Sequence, residues 1–219
     1  MNAMLMKHND MREVSKLSFF HKLLLLTVLL ALLILGKGMY MQGKAFVAQQ
    51  LLHFAWARHM QDGKEHKAWP WADSNPIAQL TFAGKDPLII LSGASGENLA
   101  FAPTWMLASA PFNEGGNSVL VAHNDTHFKQ LEDIALDAEL TINAYPGMLL
   151  HYRVIETKVM HEKDLSVLAD SDQEILTLIT CYPFSSESFN SELRFVVIAK
   201  RIKQTALNTN LAWVQKMFI

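Results

Sequence analysis

The feature that most constrains this chain is an apolar run near its N-terminus. Residues 23–35, LLLLTVLLALLIL, carry no charge over thirteen positions. The run alone is shorter than the roughly 20 residues that a bilayer-spanning helix needs, but two phenylalanines precede it and GKGMYM follows it. Lys22 and Lys37 can extend their ammonium groups to the headgroups while their stems stay in apolar surroundings. We therefore predict a transmembrane anchor over 23–42.

Two other interpretations of this run are a cleaved signal peptide and a buried core helix. A signal peptide would place a small-residue cleavage site soon after the run, whereas the residues that follow continue in a helical pattern. A core helix would carry a polar face, and the run has none. Four basic residues precede it, so the positive-inside tendency predicts a single-pass protein of the inner (cytoplasmic) membrane with residues 1–22 in the cytoplasm. The bulk of the chain would then be extracytoplasmic.

Beyond the anchor, the sequence predicts a helical stalk over 43–68 and one domain over 69–219. Short apolar segments separated by turn residues indicate strands, and FVVIA, apolar on both faces, favours a small filled barrel. Two further segments, SGENLAFAPTWML and HFKQLEDIA, look helical. Few helices and seven or eight strands predict an all-β class, a closed barrel or a sandwich. The strand candidates are IAQLTF, PLIILS, NSVLVAH, AELTINA, MLLHYRVIETKVM, EILTLITC and LRFVVIAKRI.

The charge of the chain argues against nucleic acid as a partner. The formal net charge is −2, and lysine and arginine are spread along the sequence. A nucleic-acid-binding domain usually concentrates them in a basic patch. We predict no nucleic-acid partner.

Cys181 is the only cysteine in the chain and ends the segment EILTLITC. Having no internal disulfide partner, it is either a small packing residue or a nucleophile. A working thiolate needs a positively charged neighbour. Arg194 opens the next strand, so pairing of the two strands would put Arg194 beside Cys181, where it can bind a developing oxyanion. The alternative for Arg194 is a salt bridge at the rim.

His123 ends another strand candidate, NSVLVAH, where a polar loop begins. Strand-end side chains that collect at one rim are a common way for a β-scaffold to build a site, so His123 is a candidate acid or base. By spacing, His123 and His127 could instead bind a metal with Asp125 nearby. No further Cys or Glu ligand motif accompanies them, and we predict neither a metal nor a cofactor.

These residues resemble the signature of sortases, the membrane-anchored cysteine transpeptidases. TLITC, residues 177–181, matches the Thr-Leu-x-Thr-Cys motif, and Arg194 follows the cysteine at the distance that sortases keep. GENLAFAPTWM and NEGGNSVLVAH resemble the stretch that leads into the sortase histidine. The resemblance covers roughly Trp69 to Lys203. AWPWADSNPIAQL and HNDTHF are similar to the sortases of Gram-negative bacteria, sometimes called class GN.

The resemblance implies a sortase-type closed barrel of about eight strands, with the site at one rim and the domain in the periplasm. It implies that Cys181 attacks a peptide carbonyl in the C-terminal, LPxTG-like sorting signal of a secreted protein. His123 would protonate the leaving amine, and Arg194 would steady the oxyanion or substrate. Thr180 would contribute to substrate binding or to the oxyanion site. An amine acceptor would then resolve the thioacyl enzyme. Asn124 stands where many sortases have Arg or Thr, which removes a possible substrate contact.

Two alternatives to transpeptidation remain at this stage. One is a thiol peptidase that forms the same thioester and passes the acyl group to water. The other is a non-catalytic, membrane-tethered β-barrel that binds a partner and whose cysteine only packs.

Overall fold

A computed structural model describes residues 2–145, 147–184 and 191–202. The chain divides into two compact units, Met1–Val47 and Ala48–Ile219. The first unit is helical, and the side chains of its apolar run are exposed. Within the described residues, one helical stretch, Phe19–Asp62, is long and apolar enough to cross a membrane. A signal sequence passes the same test of length and composition, so the membrane span stays a prediction.

The second unit consists mainly of strands joined by short helices and turns. The helices are α1 (Asn2–Asp62, which begins in the first unit) and α2 (Gly96–Phe101), with 3-10 turns at Lys129–Leu131 and Ser166–Leu168. The strands are β1 (Pro76–Phe82), β2 (Leu88–Ser92), β3 (Thr104–Trp105), β4 (Asn117–Val121), β5 (Glu139–Tyr145), β6 (Met148–His161), β7 (Ile175–Tyr182) and β8 (Leu193–Ile202).

In the described part of the chain these eight strands form a closed barrel, in the order β1-β2-β3-β4-β7-β8-β6-β5. The β2–β3 and β4–β7 pairs are parallel, and the other pairs are antiparallel. The predicted closed all-β barrel is therefore confirmed. The parallel β4–β7 pair matters for the site because two parallel strands end at the same edge of a sheet.

The helix expected over SGENLAFAPTWML is shorter than predicted. Ser95 caps α2, since its hydroxyl oxygen accepts a hydrogen bond from the Asn98 amide at 3.1 Å. Pro103 restricts the residue before it to extended conformations, and Ala102 has φ −162° and ψ 165°. The chain therefore leaves the helix and forms β3, a strand that the sequence did not predict. HFKQLEDIA likewise forms only turns around the Lys129–Leu131 3-10 turn.

The barrel interior is filled by alternate residues of the strands. Leu176 and Leu178 of β7 and Val197 and Ala199 of β8 are fully buried there. Residues of opposite parity on these strands therefore lie on the outer surface of the barrel. Phe128, from the loop after β4, joins the same core. This parity fixes which face each candidate site residue occupies.

Residues 48–62 of α1 pack within the second unit. Leu52 and Trp56 form a cluster with Ile89 and Leu91 of β2. The Gln49 side-chain amide donates to the Phe101 carbonyl at 2.6 Å. Because these contacts bury apolar side chains of α1 against β2, this part of the helix belongs to the hydrophobic core of the unit.

Candidate active site

Cys181 lies on β7 directly opposite Arg194 on β8. The two residues are partners in the antiparallel register of these strands, and directly opposed residues of an antiparallel pair point to the same face. Because Leu178 faces the interior, the opposite parity puts Cys181 and Arg194 on the outer face. The thiol is partly exposed. The structure thus brings these two predicted site residues side by side.

His123 reaches the same edge of the barrel from β4, on the other side of β7. The β4–β7 register runs up to Val121 opposite Ile179, and the Ala122 amide donates to the Ile179 carbonyl at 3.3 Å. His123 and Cys181 each come two residues beyond that last pair, so both lie at the same end of the parallel β4–β7 pair. His123 is exposed. His123, Cys181 and Arg194 therefore lie at the same rim of the barrel, as predicted.

Thr180 precedes Cys181 on β7 and bonds to the segment that carries His123. Its side chain is 2% exposed, on the inward-facing parity of β7, and its hydroxyl donates to the Ala122 carbonyl at 2.7 Å. This bond fixes the residue before His123 to the residue before Cys181. The substrate-binding role that we predicted for Thr180 stays a prediction.

Asn124 makes a second connection across the site, which sequence reasoning did not identify. Its side chain is buried and its amide donates to the Pro183 carbonyl at 2.8 Å. Asn124 follows His123, and Pro183 lies two residues after Cys181. The bond therefore joins the two loops that leave the barrel at the site.

Arg194 is held by acceptors on both sides. Its Nη1 donates to the carbonyls of Ser191 and Leu193 at 2.7 and 2.9 Å, and its Nη2 forms an ion pair with Glu162 Oε2 at 2.5 Å. The side chains of Arg194 and Glu162 are 27% and 40% exposed. A pair this exposed contributes about 0.2–1 kcal/mol to folding, so its main effect is to orient the guanidinium. The rim salt bridge that we considered as an alternative is thus present, beside Cys181.

A groove of about 270 Å³ runs along the outer face of β7 and β8 next to these residues. Ile179 and Val196 form part of its floor together with Arg194. Cys181 comes two residues after Ile179 on the same strand and so lies on the same face. The other walls come from β6, the segment after it, and the loop after β3: Met106, Met160, His161, Glu162, Asp164, Leu165, Val167 and Leu168.

His127 lies close enough to His123 to interact with it electrostatically. Burial lowers the pKa of His127 below its usual value of 6.5, and His123 lowers it further. Asp125 and a hydrogen bond to the Phe101 backbone oppose these effects. Among the described residues, no group of three or more His, Cys, Asp or Glu side chains is arranged to hold a metal ion.

The family to which these residues pointed is established by comparison. The Sortase domain family model matches residues 85–202, more than half of the 219-residue chain. The chain belongs to the sortase family. Members of this family are cysteine transpeptidases. The matched range contains His123, Thr180, Cys181 and Arg194.

Among curated proteins, Sortase D from Bacillus subtilis (strain 168) is 31% identical over 91 residues. The alignment covers 41% of this chain and 45% of the relative. The chain therefore spans less than half the length of the curated relative that it matches.

Solved sortase structures share the fold. Sortase A from Corynebacterium diphtheriae matches with a TM-score of 0.55 and 26% identity, over 64% of this chain and 66% of that chain. A Clostridium perfringens Sortase D5 transpeptidase matches with a TM-score of 0.57 and 18% identity, over 72% and 99%. Sortase A from Listeria monocytogenes has a TM-score of 0.52 and 22% identity, over 58% and 88%. The barrel is thus that of sortases of several classes.

Proposed function

We propose that this sortase cleaves the C-terminal sorting signal of a secreted protein through a thioacyl intermediate on Cys181 and transfers the acyl group to an amine acceptor. The observation that carries the proposal is the convergence of Cys181, Arg194 and His123 at the rim that ends β7. Cys181 Sγ attacks the scissile carbonyl carbon, and the leaving amine takes a proton from His123 as the C–N bond breaks. The acceptor amine then attacks the thioester and gives its proton to His123 as the C–S bond breaks and the Cys181 thiolate is released.

Arg194 stabilises the carbonyl oxygen as it becomes negative. A guanidinium group has five N–H donors, and the bonds to Ser191, Leu193 and Glu162 use three of them within the described part of the chain. The remaining donors can serve a substrate oxygen. Donors fixed before the reaction stabilise a transition state most effectively because they need no reorganisation.

The groove along β7 and β8 suits an extended peptide that ends at Cys181. Its floor and walls offer apolar contacts from Ile179, Val196 and Leu168, and Glu162 and Arg194 lie at the polar side. Apolar lining with a few polar groups is typical of sites that bind by burial and orient by hydrogen bonds. We propose that an LPxTG-like motif binds in this groove. We also propose that the protein belongs to the class of sortases found in Gram-negative bacteria.

The apolar helix is the proposed anchor to the inner membrane. Four basic residues ahead of it favour a cytoplasmic N-terminus, which would put the barrel in the periplasm with its secreted substrates. Attachment to the bilayer lipid then keeps the enzyme near proteins that are being exported.

The test uses the full chain in detergent or liposomes with a panel of internally quenched Leu-Pro-x-Thr-Gly peptides, each with and without a glycine-based amine. Wild-type protein should cleave a member of the panel and form a peptide adduct on Cys181 that mass spectrometry detects. Cys181→Ala should lose cleavage and adduct together. Faster adduct turnover with the amine indicates transpeptidation, whereas turnover to the free acid alone indicates a thiol peptidase. Unchanged cleavage by Cys181→Ala would refute the proposal and favour a binding module.

A further inference from the structure

The wall of the groove opposite its β7–β8 floor is formed by the segment between β6 and β7. This segment contains the Ser166–Leu168 3-10 turn, and its residues Leu165, Val167 and Leu168 line the groove. Three local bonds hold the turn in the described residues: the Leu168 amide donates to the Leu165 carbonyl at 3.0 Å, the Ala169 amide to the Ser166 carbonyl at 3.2 Å, and the Ser166 amide to Asp164 Oδ1 at 3.0 Å. A turn this short needs further bonds to keep one position.

Asn117, the first residue of β4, supplies those bonds from the barrel. Its side-chain amide donates to the Val167 carbonyl at 2.8 Å and to the Ala169 carbonyl at 3.2 Å. These are carbonyls at the C-terminal end of the 3-10 turn, where the helical pattern leaves acceptors without a partner. Asn117 is 6% exposed. Val167 is half-buried and Ala169 is exposed, so the two bonds act by tying the turn to a buried side chain of the barrel.

The orientation of the Asn117 amide is itself determined. The Thr177 hydroxyl on β7 donates to Asn117 Oδ1 at 2.7 Å, and Thr177 is 1% exposed. Because the Val167 and Ala169 carbonyls can only accept, the nitrogen of the amide must face the turn, and its oxygen then accepts from the Thr177 hydroxyl. Thr177, Asn117 and the turn therefore form one connected network from the β7 strand to the groove wall.

The same segment also approaches closely the residue that precedes β4. Gly116 has φ +76°, and a Cβ built there would lie 2.7 Å from Asp170 Oδ1. Asp170 comes two residues after the turn, so its side chain lies against the backbone just before β4, where only a glycine leaves room for it.

We propose that Asn117 is a positioning residue for substrate binding, which holds the Ser166–Leu168 turn in place as a wall of the groove. This inference rests on the proposed function, because it takes the groove to be the site that binds the cleaved peptide. Asn117 does not touch the reacting atoms, since it lies at the opposite end of β4 from His123. A residue that only fixes the groove wall should affect substrate affinity and leave the chemical step unchanged.

The test compares Asn117→Asp with Ser118→Ala. Asn117→Asp keeps an acceptor for Thr177 and removes the two amide donors to the turn. Ser118→Ala removes a buried hydrogen bond on the same strand, from Ser118 Oγ to the Ala110 carbonyl at 2.8 Å, which does not involve the groove. Asn117→Ala is the second variant, because it removes the donors without introducing a buried carboxylate. Thermal denaturation of each variant monitors folding.

We expect both Asn117 variants to raise KM for the cleaved peptide by about tenfold or more, with kcat within about threefold of wild type. Ser118→Ala should leave KM unchanged. Hydrogen exchange at the Leu168 and Ala169 amides should become about tenfold faster in the Asn117 variants and stay unchanged in Ser118→Ala. A wild-type KM in a folded Asn117 variant would overturn the proposal, whatever the exchange rates are.

The two proposals fail in different ways. If wild-type protein cleaves no peptide of the panel and forms no Cys181 adduct, the proposed function fails, and hydrogen exchange still decides whether Asn117 holds the turn. If wild-type protein cleaves and the Asn117 variants keep its KM, the role of Asn117 in substrate binding fails and the proposed function stands.

Discussion

Replacing Asn124 with alanine should separate the two loops that carry the reacting residues. The Asn124 amide donates to the Pro183 carbonyl at 2.8 Å, and it is 7% exposed. Asn124 is the residue after His123, and Pro183 lies two residues beyond Cys181. Asn124→Ala deletes the donor and leaves the Pro183 carbonyl without it.

The expected loss of stability follows from the partial burial of this bond. Asn124 is buried and Pro183 is half-buried, so losing the bond costs about 0.5–1.5 kcal/mol. For a domain of this size each kcal/mol lowers the melting temperature by about 2–4 °C, so the variant should melt about 1–6 °C lower and remain folded at 25 °C. The effect on catalysis should be larger, because displacing a reacting group by about 1 Å costs up to about 100-fold in rate. We expect kcat to fall by about 10- to 100-fold with little change in KM.

The assay is steady-state cleavage of the peptide that wild-type protein accepts, with thermal denaturation in parallel. Thr126→Ala is the control, since Thr126 lies in the same loop with an exposed side chain, and it should keep both kcat and melting temperature. If Asn124→Ala melts lower but keeps wild-type kcat, the bond only stabilises the fold. The reasoning that Asn124 positions His123 relative to Cys181 is then refuted.

Two further predictions concern the neighbouring charges. Folding lowers the pKa of His127, chiefly because the side chain is buried. The unfolded chain therefore binds the proton more tightly than the folded chain. The stability that His127 contributes is present above its unfolded pKa of 6.5 and is lost as the pH falls below that value. Denaturant midpoints between pH 7.5 and 5 should therefore fall less in His127→Gln than in wild type, and parallel curves would contradict this. Arg194→Lys keeps the charge but loses the planar fork; it should lower kcat by about 10- to 100-fold, whereas wild-type kcat in a folded variant would exclude Arg194 from oxyanion stabilisation.

The predicted strands were found because alternation and turn residues report local structure. Seven segments became β1, β2 and β4 to β8 with small changes at their ends. The strand that was missed, β3, has two residues, too few for any periodic pattern. The helix predicted over the same region ended early at Ala102, where Pro103 interrupts it. The restriction that a proline places on the residue before it could have predicted this end of the helix from the sequence.

The site residues divide in the same way. The family was indicated by the TLITC motif, with a histidine before it and an arginine after it. The same motif identified Cys181, His123 and Arg194 as candidate site residues. The contact between Glu162 and Arg194 could not be predicted from the sequence, because it depends on the β6–β8 register, in which Met160 faces Arg194. Asn124 stood next to His123 in the sequence, but nothing there indicated that its amide reaches Pro183.

The sequence by itself determined the apolar run, the strand pattern, the family and the three residues proposed to react, because each is a property of neighbouring residues or of a short motif. Only the tertiary structure decided what orients them. The bonds Glu162–Arg194, Asn117–Val167 and Asn124–Pro183 join residues 32, 50 and 59 positions apart. Such contacts arise from barrel closure and strand register, which are set by how all the strands pack together. The groove and its walls exist for the same physical reason.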